Sequence, residues 1–265
     1  MDYCAWLESV EGIAVDAGRE ILQIYQRDFA VEQKGDGSPL TEADRAAHRL
    51  ILARLRELSP DIPILSEESV AVEYETRAGW EVFWLVDPLD GTREFVKRNG
   101  EFTVNIALID GHEPVLGVVH VPVSGVSYLA CRGHGAFKRE PGEALHPIHV
   151  RPLPDDRLTV VASRSHAGDS LKAALERLGS HDTVSMGSSL KLCLVAEGRA
   201  DLYPRLGPTS EWDTAAAQCV VEVAGGRVID LDNRPLRYNK ESILNPYFIV
   251  AGSGGRDWTR LFAHD

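Results

Sequence analysis

No stretch of this sequence stays apolar for the roughly 20 residues that a membrane-spanning helix requires, so no integral membrane segment is expected. Basic residues are scarce, with 28 Lys and Arg against 40 Asp and Glu and a formal net charge of -12. No Lys/Arg run forms an electrostatic stripe, which argues against DNA or RNA as a standing partner, because backbone binding rests on basic clusters. The opening residues, MDYCAWLESVEG, carry neither a basic n-region nor a long apolar h-region, so no signal peptide is expected there. Cysteine is rare as well. Cys4, Cys131, Cys193 and Cys219 lie far apart with no metal-binding spacing. They read as reduced thiols of a cytosolic protein, with Cys193 and Cys219 packed inside apolar helical patterns. Internal repeats, coiled coils and low-complexity segments are absent. The expectation is a cytoplasmic globular protein, with loose peripheral attachment at the inner membrane left open and oligomeric state not encoded in any visible feature.

What is present suffices for a sizeable core: 265 residues, 44% of them hydrophobic. Trp6, Val10, Ile13, Ala17, Ile21 and Tyr25 recur at helical spacing and predict a helix over 3–29. A second helix is predicted over 41–58, opened by the capping box Thr41-Glu42-Ala43-Asp44. A strand at 62–66 and a buried run at 82–86 follow, and 102–109, 114–121 and 126–130 suggest an antiparallel meander. The stretch 139–157 is rich in Pro, Glu and Asp and marks a boundary. Beyond it, strands at 158–162, 182–185, 200–203, 227–230 and 247–251 are interleaved with helices at 168–178, 187–197 and 211–224. The predicted fold class is therefore α/β in stacked layers. An α+β half spans 1–153, an α/β half spans 154–265, and the site lies between them.

The richest stretch is Trp84-Leu85-Val86-Asp87-Pro88-Leu89-Asp90-Gly91-Thr92. A buried strand ends in two carboxylates three residues apart, with Pro88 fixing the backbone and Gly91 permitting a tight or left-handed turn. Such a loop aims both carboxylates and the Leu89 carbonyl at one point, and these hard oxygens suit Mg²⁺ and not zinc. The plainer alternative is a polar turn with Asp87 as a helix cap. Glu67-Glu68 ends another strand, where it is either solvated charge or a pair aimed at the site. Thr41-x-x-Asp44 and Ser210-x-x-Asp213 both fit a capping pattern, so each aspartate either satisfies backbone N–H groups or points off its helix end into a cleft.

Four segments, Asp36 through Asp44 (DGSPLTEAD), Leu65-Ser66-Glu67-Glu68, Asp87 through Thr92 (DPLDGT) and Trp212 through Ala216 (WDTAA), together resemble the inositol-monophosphatase-like phosphatases in order and spacing. The resemblance runs over about residues 8–252 and implies a layered αβαβα fold with lithium-sensitive, Mg²⁺-dependent activity. Lys97 through Ile109 (KRNGEFTVNIALI), Ser163-Arg164-Ser165-His166, Gly187 through Lys191 (GSSLK) and Leu202-Tyr203-Pro204-Arg205 resemble one branch more closely, the bacterial 3′(2′),5′-bisphosphate nucleotidases. That branch implies removal of the 3′-phosphate from adenosine 3′,5′-bisphosphate. A second phosphate not held by metal needs cations of its own, and Lys191 and Arg205 fit that need; the alternative is ordinary surface charge.

By resemblance, Glu67, Asp87 and the Leu89 carbonyl hold one Mg²⁺, Asp87, Asp90 and Asp213 a second, and Glu67 shares a third, so two or three ions are implied. Thr92 orients the attacking water and Asp44 accepts a proton through its hydroxyl. Glu67, Leu89, Asp90, Gly91, Thr92 and Asp213 contact the reacting phosphate, and Ser188, Lys191 and Arg205 grip the 5′-phosphate and ribose. His166 and Arg164 lie near the base or that phosphate. Two rivals stand beside this reading: an inositol monophosphatase or sugar-bisphosphate phosphatase of the same fold, and a non-catalytic sensor of metal and nucleotide.

Overall fold

Successive side chains along the strand Val82–Asp90 go to different cores, Phe83 and Leu85 to one and Trp84 and Val86 to another. This period of two is what a sheet covered on both faces imposes. The computed structural model describes residues 2–33, 39–69, 72–154, 156–163, 169–254, 257–258 and 262. After a 3₁₀ turn at Tyr3–Trp6 the elements run α1 (Leu7–Tyr25), β1 (Val31–Gln33), β2 (Pro39–Thr41), α2 (Glu42–Leu58), β3 (Ile64–Ser66), α3 (Tyr74–Arg77), β4 (Val82–Asp90), α4 (Thr92–Val96), β5 (Thr103–Asp110), β6 (Glu113–Val121), β7 (Val126–Cys131), β8 (Gly135–Arg139) and β9 (His146–Pro147). The rest of the chain gives β10 (Leu158–Ser163), α5 (Asp169–Leu178), β11 (His181–Met186), α6 (Leu190–Ala196), β12 (Leu202–Arg205), α7 (Glu211–Val223), β13 (Arg227–Asp230) and β14 (Phe248–Ala251).

Two large sheets result. Seven strands lie in the order β3-β4-β5-β6-β7-β8-β9, antiparallel except for the β3–β4 pair. Five lie in the order β11-β10-β12-β14-β13, with β10 parallel to both neighbours. Helices α1 and α2 cover one face of the larger sheet through Ile13, Ile21, Ile51 and Leu55. Helices α6 and α7 fill the space between the sheets, sharing one core with Ala107 and Val119 on one side and Val161, Tyr203 and Val250 on the other. The outer face of the smaller sheet is closed by Ala174 of α5 with Trp258 and Phe262. The stack is thus helix, sheet, helix, sheet, helix, as expected. Close packing of α7 onto β6 depends on Gly117, where a Cβ would sit 2.3 Å from the Ala216 carbonyl oxygen.

Several readings of the sequence need correction, among them one strand end and the state of the cysteines. The strand expected to stop at Asp87 continues to Asp90, with a register shift between those residues opposite Asn105 and Thr103. The four cysteines are not all reduced: Cys4 and Cys131 form a disulfide, with Cα atoms 5.6 Å apart. Their separation of 127 residues hides the pairing from the sequence, and the meander closes it by laying the end of β7 beside the N-terminal turn. Cys193 and Cys219 are free and buried, as expected. No helix among the described residues is long and apolar enough to cross a membrane.

Candidate active site

Because β3 and β4 run parallel, their C-terminal ends arrive together, and the Glu67 N–H extends the pairing by donating to the Val86 carbonyl at 3.1 Å. Asp87 is 1% exposed, and its Oδ1 accepts the Leu89 N–H at 3.0 Å, which folds the Asp-Pro-Leu segment back on itself. The first turn of α7 arrives from the layer below. Glu67, Asp87 and Asp213 each bring a carboxylate oxygen into a group whose members all lie within 4.8 Å of one another.

Both readings of the two capping aspartates hold at once, because a carboxylate has two oxygens. Asp213 Oδ2 accepts the Ser210 N–H at 2.8 Å and completes a capping box, which leaves Oδ1 for the cluster. Asp44 Oδ2 accepts both the N–H and the hydroxyl of Thr41 at 2.7 Å, while its Oδ1 lies 3.2 Å from the Thr92 hydroxyl. Thr92 opens α4 directly after Gly91, which has φ +89°; a side chain at Gly91 would press on the Glu101 carbonyl oxygen at 3.2 Å. The left-handed turn expected there is present.

Asp90 lies outside the group of three. Its Oδ2 accepts the Ser189 N–H at 2.5 Å and faces the Asn105 amide at 3.5 Å. Burial, then the charges of Glu67, Asp90 and Asp213, push the Asp87 carboxyl well above its usual range. Asp213 is raised to about 8, first by burial and then by Asp90 and Glu67. Burial also raises Asp90, against the pull of Lys191 and the Ser189 N–H. Like charges held this close in a desolvated pocket call for protons or cations. Hard carboxylate oxygens with no thiolate or imidazole among them suit Mg²⁺.

Cations line the same cleft, Lys191 and Arg205 among them. Lys191, in the first turn of α6, is buried; its ammonium donates to the Ser188 carbonyl at 2.5 Å and stands 5.6 Å from the Tyr203 ring. Burial lowers it to about 8, although Asp90 pulls the other way. Arg205 ends β12, with one guanidinium nitrogen donating to the Pro208 carbonyl at 2.9 Å and a buried Nε that has no partner among the described residues. Ser188 is held at φ +47°. One cleft of about 380 Å³, large enough for a nucleotide, is lined by Glu67, Asp90, Gly91, Thr92 and Asp213 and also by Ser188, Lys191 and Arg205. Arg164 and His166 lie outside the described residues.

Sequence reasoning missed the support beneath Asp90. Ser189 Oγ donates to Asn105 Oδ1 at 2.8 Å and also lies 2.8 Å from the Thr103 hydroxyl, so a buried polar chain aims the Ser189 N–H at Asp90. The available signal was Asn105 itself, a lone amide inside the apolar run 102–109.

With this geometry in hand, the Inositol monophosphatase family matches residues 5–256. The chain is 52% identical over 252 residues to the 3′(2′),5′-bisphosphate nucleotidase CysQ of Escherichia coli (strain K12), covering 92% of this chain and 99% of that protein. CysQ from Bacteroides thetaiotaomicron, a solved structure titled as a bacterial member of the inositol monophosphatase family, is similar with a TM-score of 0.84 at 42% identity, over 95% of this chain and 98% of that one. The inositol monophosphatase from Anabaena (Nostoc) sp. PCC 7120 is similar with a TM-score of 0.79 at 26% identity, over 98% of this chain and 96% of that one.

Proposed function

The chain belongs to the inositol monophosphatase family, and from that premise we propose that it is a Mg²⁺-dependent nucleotidase. In this reading it removes the 3′-phosphate of adenosine 3′,5′-bisphosphate to leave AMP. One observation carries the reading: a single cleft is lined both by Glu67 and Asp213, two of the three converging carboxylates, and by Lys191 and Arg205. The reacting phosphate belongs with the carboxylates. The second phosphate, which an inositol monophosphate lacks, belongs with the cations. The relatives named as bisphosphate nucleotidases support the same choice.

Glu67, Asp87, the Leu89 carbonyl, Asp90 and Asp213 are the groups that would hold Mg²⁺, in two or three ions. When bound, Mg²⁺ supplies Lewis acidity, neutralising phosphate charge and acidifying the attacking water. The chain supplies the rest. The Thr92 hydroxyl has one proton and two acceptors at 3.2 Å, Asp44 Oδ1 and the Leu89 carbonyl. With the Leu89 carbonyl assigned to cation binding, Asp44 Oδ1 remains as the acceptor. A proton leaving the water for Thr92 Oγ1 is then matched by one passing from Thr92 to Asp44 Oδ1, while Thr41 keeps Oδ2 occupied. Attack forms a new O–P bond as the P–O3′ bond breaks; the 3′ oxygen leaves with the bonding pair and takes a proton from solvent water, while Asp44 later returns its proton to solvent. The amide groups of Gly91 and Thr92 face phosphate oxygens. Ser188, Lys191 and Arg205 hold the 5′-phosphate, with the Arg205 Nε, which has no partner among the described residues, as a donor in waiting. His166 and Arg164 are assigned to the base or that phosphate. We place this activity in the cytoplasm, where nucleotides are made.

The test is phosphate release with Mg²⁺ from adenosine 3′,5′-bisphosphate, inositol 1-phosphate and a sugar bisphosphate, assayed side by side. The reading expects kcat/KM at least ten-fold higher on the nucleotide. Preference for either other substrate assigns the chain to a sister activity, and no release from any of the three would make it a non-catalytic sensor.

A further inference from the structure

Among the described residues Leu244 is the most exposed large hydrophobic side chain, at 56%, yet it lines the cleft. An exposed leucine on a loop needs no explanation by itself. This one is held rigidly. Residues 243–245 pair antiparallel with 209–211: the Glu211 N–H donates to the Ile243 carbonyl at 2.9 Å and the Asn245 N–H to the Thr209 carbonyl at 2.8 Å. Those two bonds flank Ser210 and Leu244, which makes them a directly opposed pair whose side chains project to one side. Ser210 also lines the cleft. The Asn245 side chain pins the loop further by donating to the Ser210 carbonyl at 2.7 Å and the Thr214 hydroxyl at 3.0 Å. Upstream, the fully buried Glu211 carboxylate takes the N–H of Asn239 at 2.8 Å and the Lys240 ammonium at 2.6 Å.

The construction spends a buried carboxylate and a buried amide on holding an apolar side chain in water beside the first turn of α7. Resting on the nucleotidase reading above, we propose that Leu244 is a specificity-determining residue: it forms an apolar shelf that covers one face of the substrate's purine base. A nucleoside bisphosphate has two anionic ends and one large apolar part. The carboxylates and the cations answer to the phosphates, and Leu244, which lines the same cleft as Trp212, answers to the base. Because the loop is already ordered, covering Leu244 costs little further conformational entropy, so most of the gain from removing its surface from water appears as affinity.

The experiment compares wild type, Leu244→Ser and Leu244→Met on two substrates, adenosine 3′,5′-bisphosphate and the same ribose bisphosphate lacking the base. Withdrawing about half a leucine side chain from water is worth a three- to ten-fold change in KM. Leu244→Ser is expected to raise KM for the nucleotide by that factor with kcat unchanged, and Leu244→Met to restore it. KM for the abasic compound stays where it was in all three proteins. Calorimetry should show AMP binding weakened by the same factor in Leu244→Ser and inorganic phosphate binding unaltered. Equal shifts on both substrates, or no shift on either, overturn the shelf while leaving the nucleotidase reading intact. A wild-type protein that turns over inositol 1-phosphate but not the nucleotide overturns both.

Discussion

Asp213→Asn should make the metal-free protein more stable and the enzyme inactive. In the metal-free fold the Asp213 carboxyl is raised to about 8 from an ordinary 3.8, by burial and by the charges of Asp90 and Glu67. The native state therefore binds a proton that the unfolded chain releases throughout pH 4 to 8, and stability must fall as pH rises through that window. At pH 7 the penalty is about 1.4 kcal/mol for each of roughly three pH units, on the order of 4 kcal/mol. Sharing the proton with Asp87 and Asp90 reduces the part that one substitution recovers to about 2–4 kcal/mol. Asparagine removes the penalty while its side-chain oxygen still accepts the Ser210 N–H, so the helix cap survives. For a chain of this length the gain corresponds to a rise in Tm of about 4–7 °C in EDTA at pH 7, shrinking to 1–3 °C at pH 5. Mg²⁺ closes most of the gap: at a hundred-fold excess over Kd it adds about 2.7 kcal/mol to wild type and much less to the variant. The assay is differential scanning fluorimetry from pH 5 to 8 with EDTA or Mg²⁺, beside a phosphate-release rate. A variant no more stable than wild type in EDTA, or a stability gap that does not narrow in acid, would refute the claim that this site is a store of uncompensated negative charge.

Asp44→Asn keeps the cap on α2 but cannot take a proton, so kcat should fall about 10²–10³-fold with Tm within a few degrees; a loss under ten-fold, measured under saturating substrate, removes Asp44 from the proton path. Lys191→Ala should lower kcat/KM on adenosine 3′,5′-bisphosphate by about 30- to 100-fold, the worth of a charged hydrogen bond. The same variant should change the rate on inositol 1-phosphate by less than about three-fold, and parallel losses would deny Lys191 a role at the second phosphate. Cys4→Ser should destabilise the oxidised protein by about 2–5 kcal/mol in urea, because the bond closes a loop of 127 residues, and dithiothreitol should erase the difference; identical midpoints with and without reductant would contradict the pairing.

Most of the architecture was legible because its signals are local. The period of two in β4 and β5, the capping boxes on α2 and α7 and the Asp-Pro-Leu-Asp-Gly-Thr turn each lie within a few consecutive residues. What escaped depends on partners far along the chain. The helix expected over 3–29 stops at Tyr25 without a glycine or proline to end it. The carbonyl of its last residue, Tyr25, is taken by the Arg98 guanidinium, which also donates to the Arg27 carbonyl just beyond the helix, from more than 70 residues away. Similarly, α6 begins at Leu190 and not at 187, with Ser188 at a positive φ, and the Ser189 N–H is spent on Asp90. The disulfide and the Asn105–Ser189–Asp90 chain fall in the same class, since each joins strands or helices that only the sheet order brings together.

The same distinction explains why capping and chemistry could not be separated from sequence. A carboxylate at the third position of a helix has one oxygen turned back to the helix entrance and one turned forward, so satisfying the local backbone leaves the outward oxygen free for a cleft. Capping also fixes that outward oxygen, because the inward hydrogen bonds, 2.7 Å at Asp44 and 2.8 Å at Asp213, lock the side-chain rotamer. Two helix starts from different layers, α2 and α7, meet the ends of β3 and β4 in this way. A pocket of like charge, costly to fold without cations, is then held open by hydrogen bonds whose local job is to begin helices.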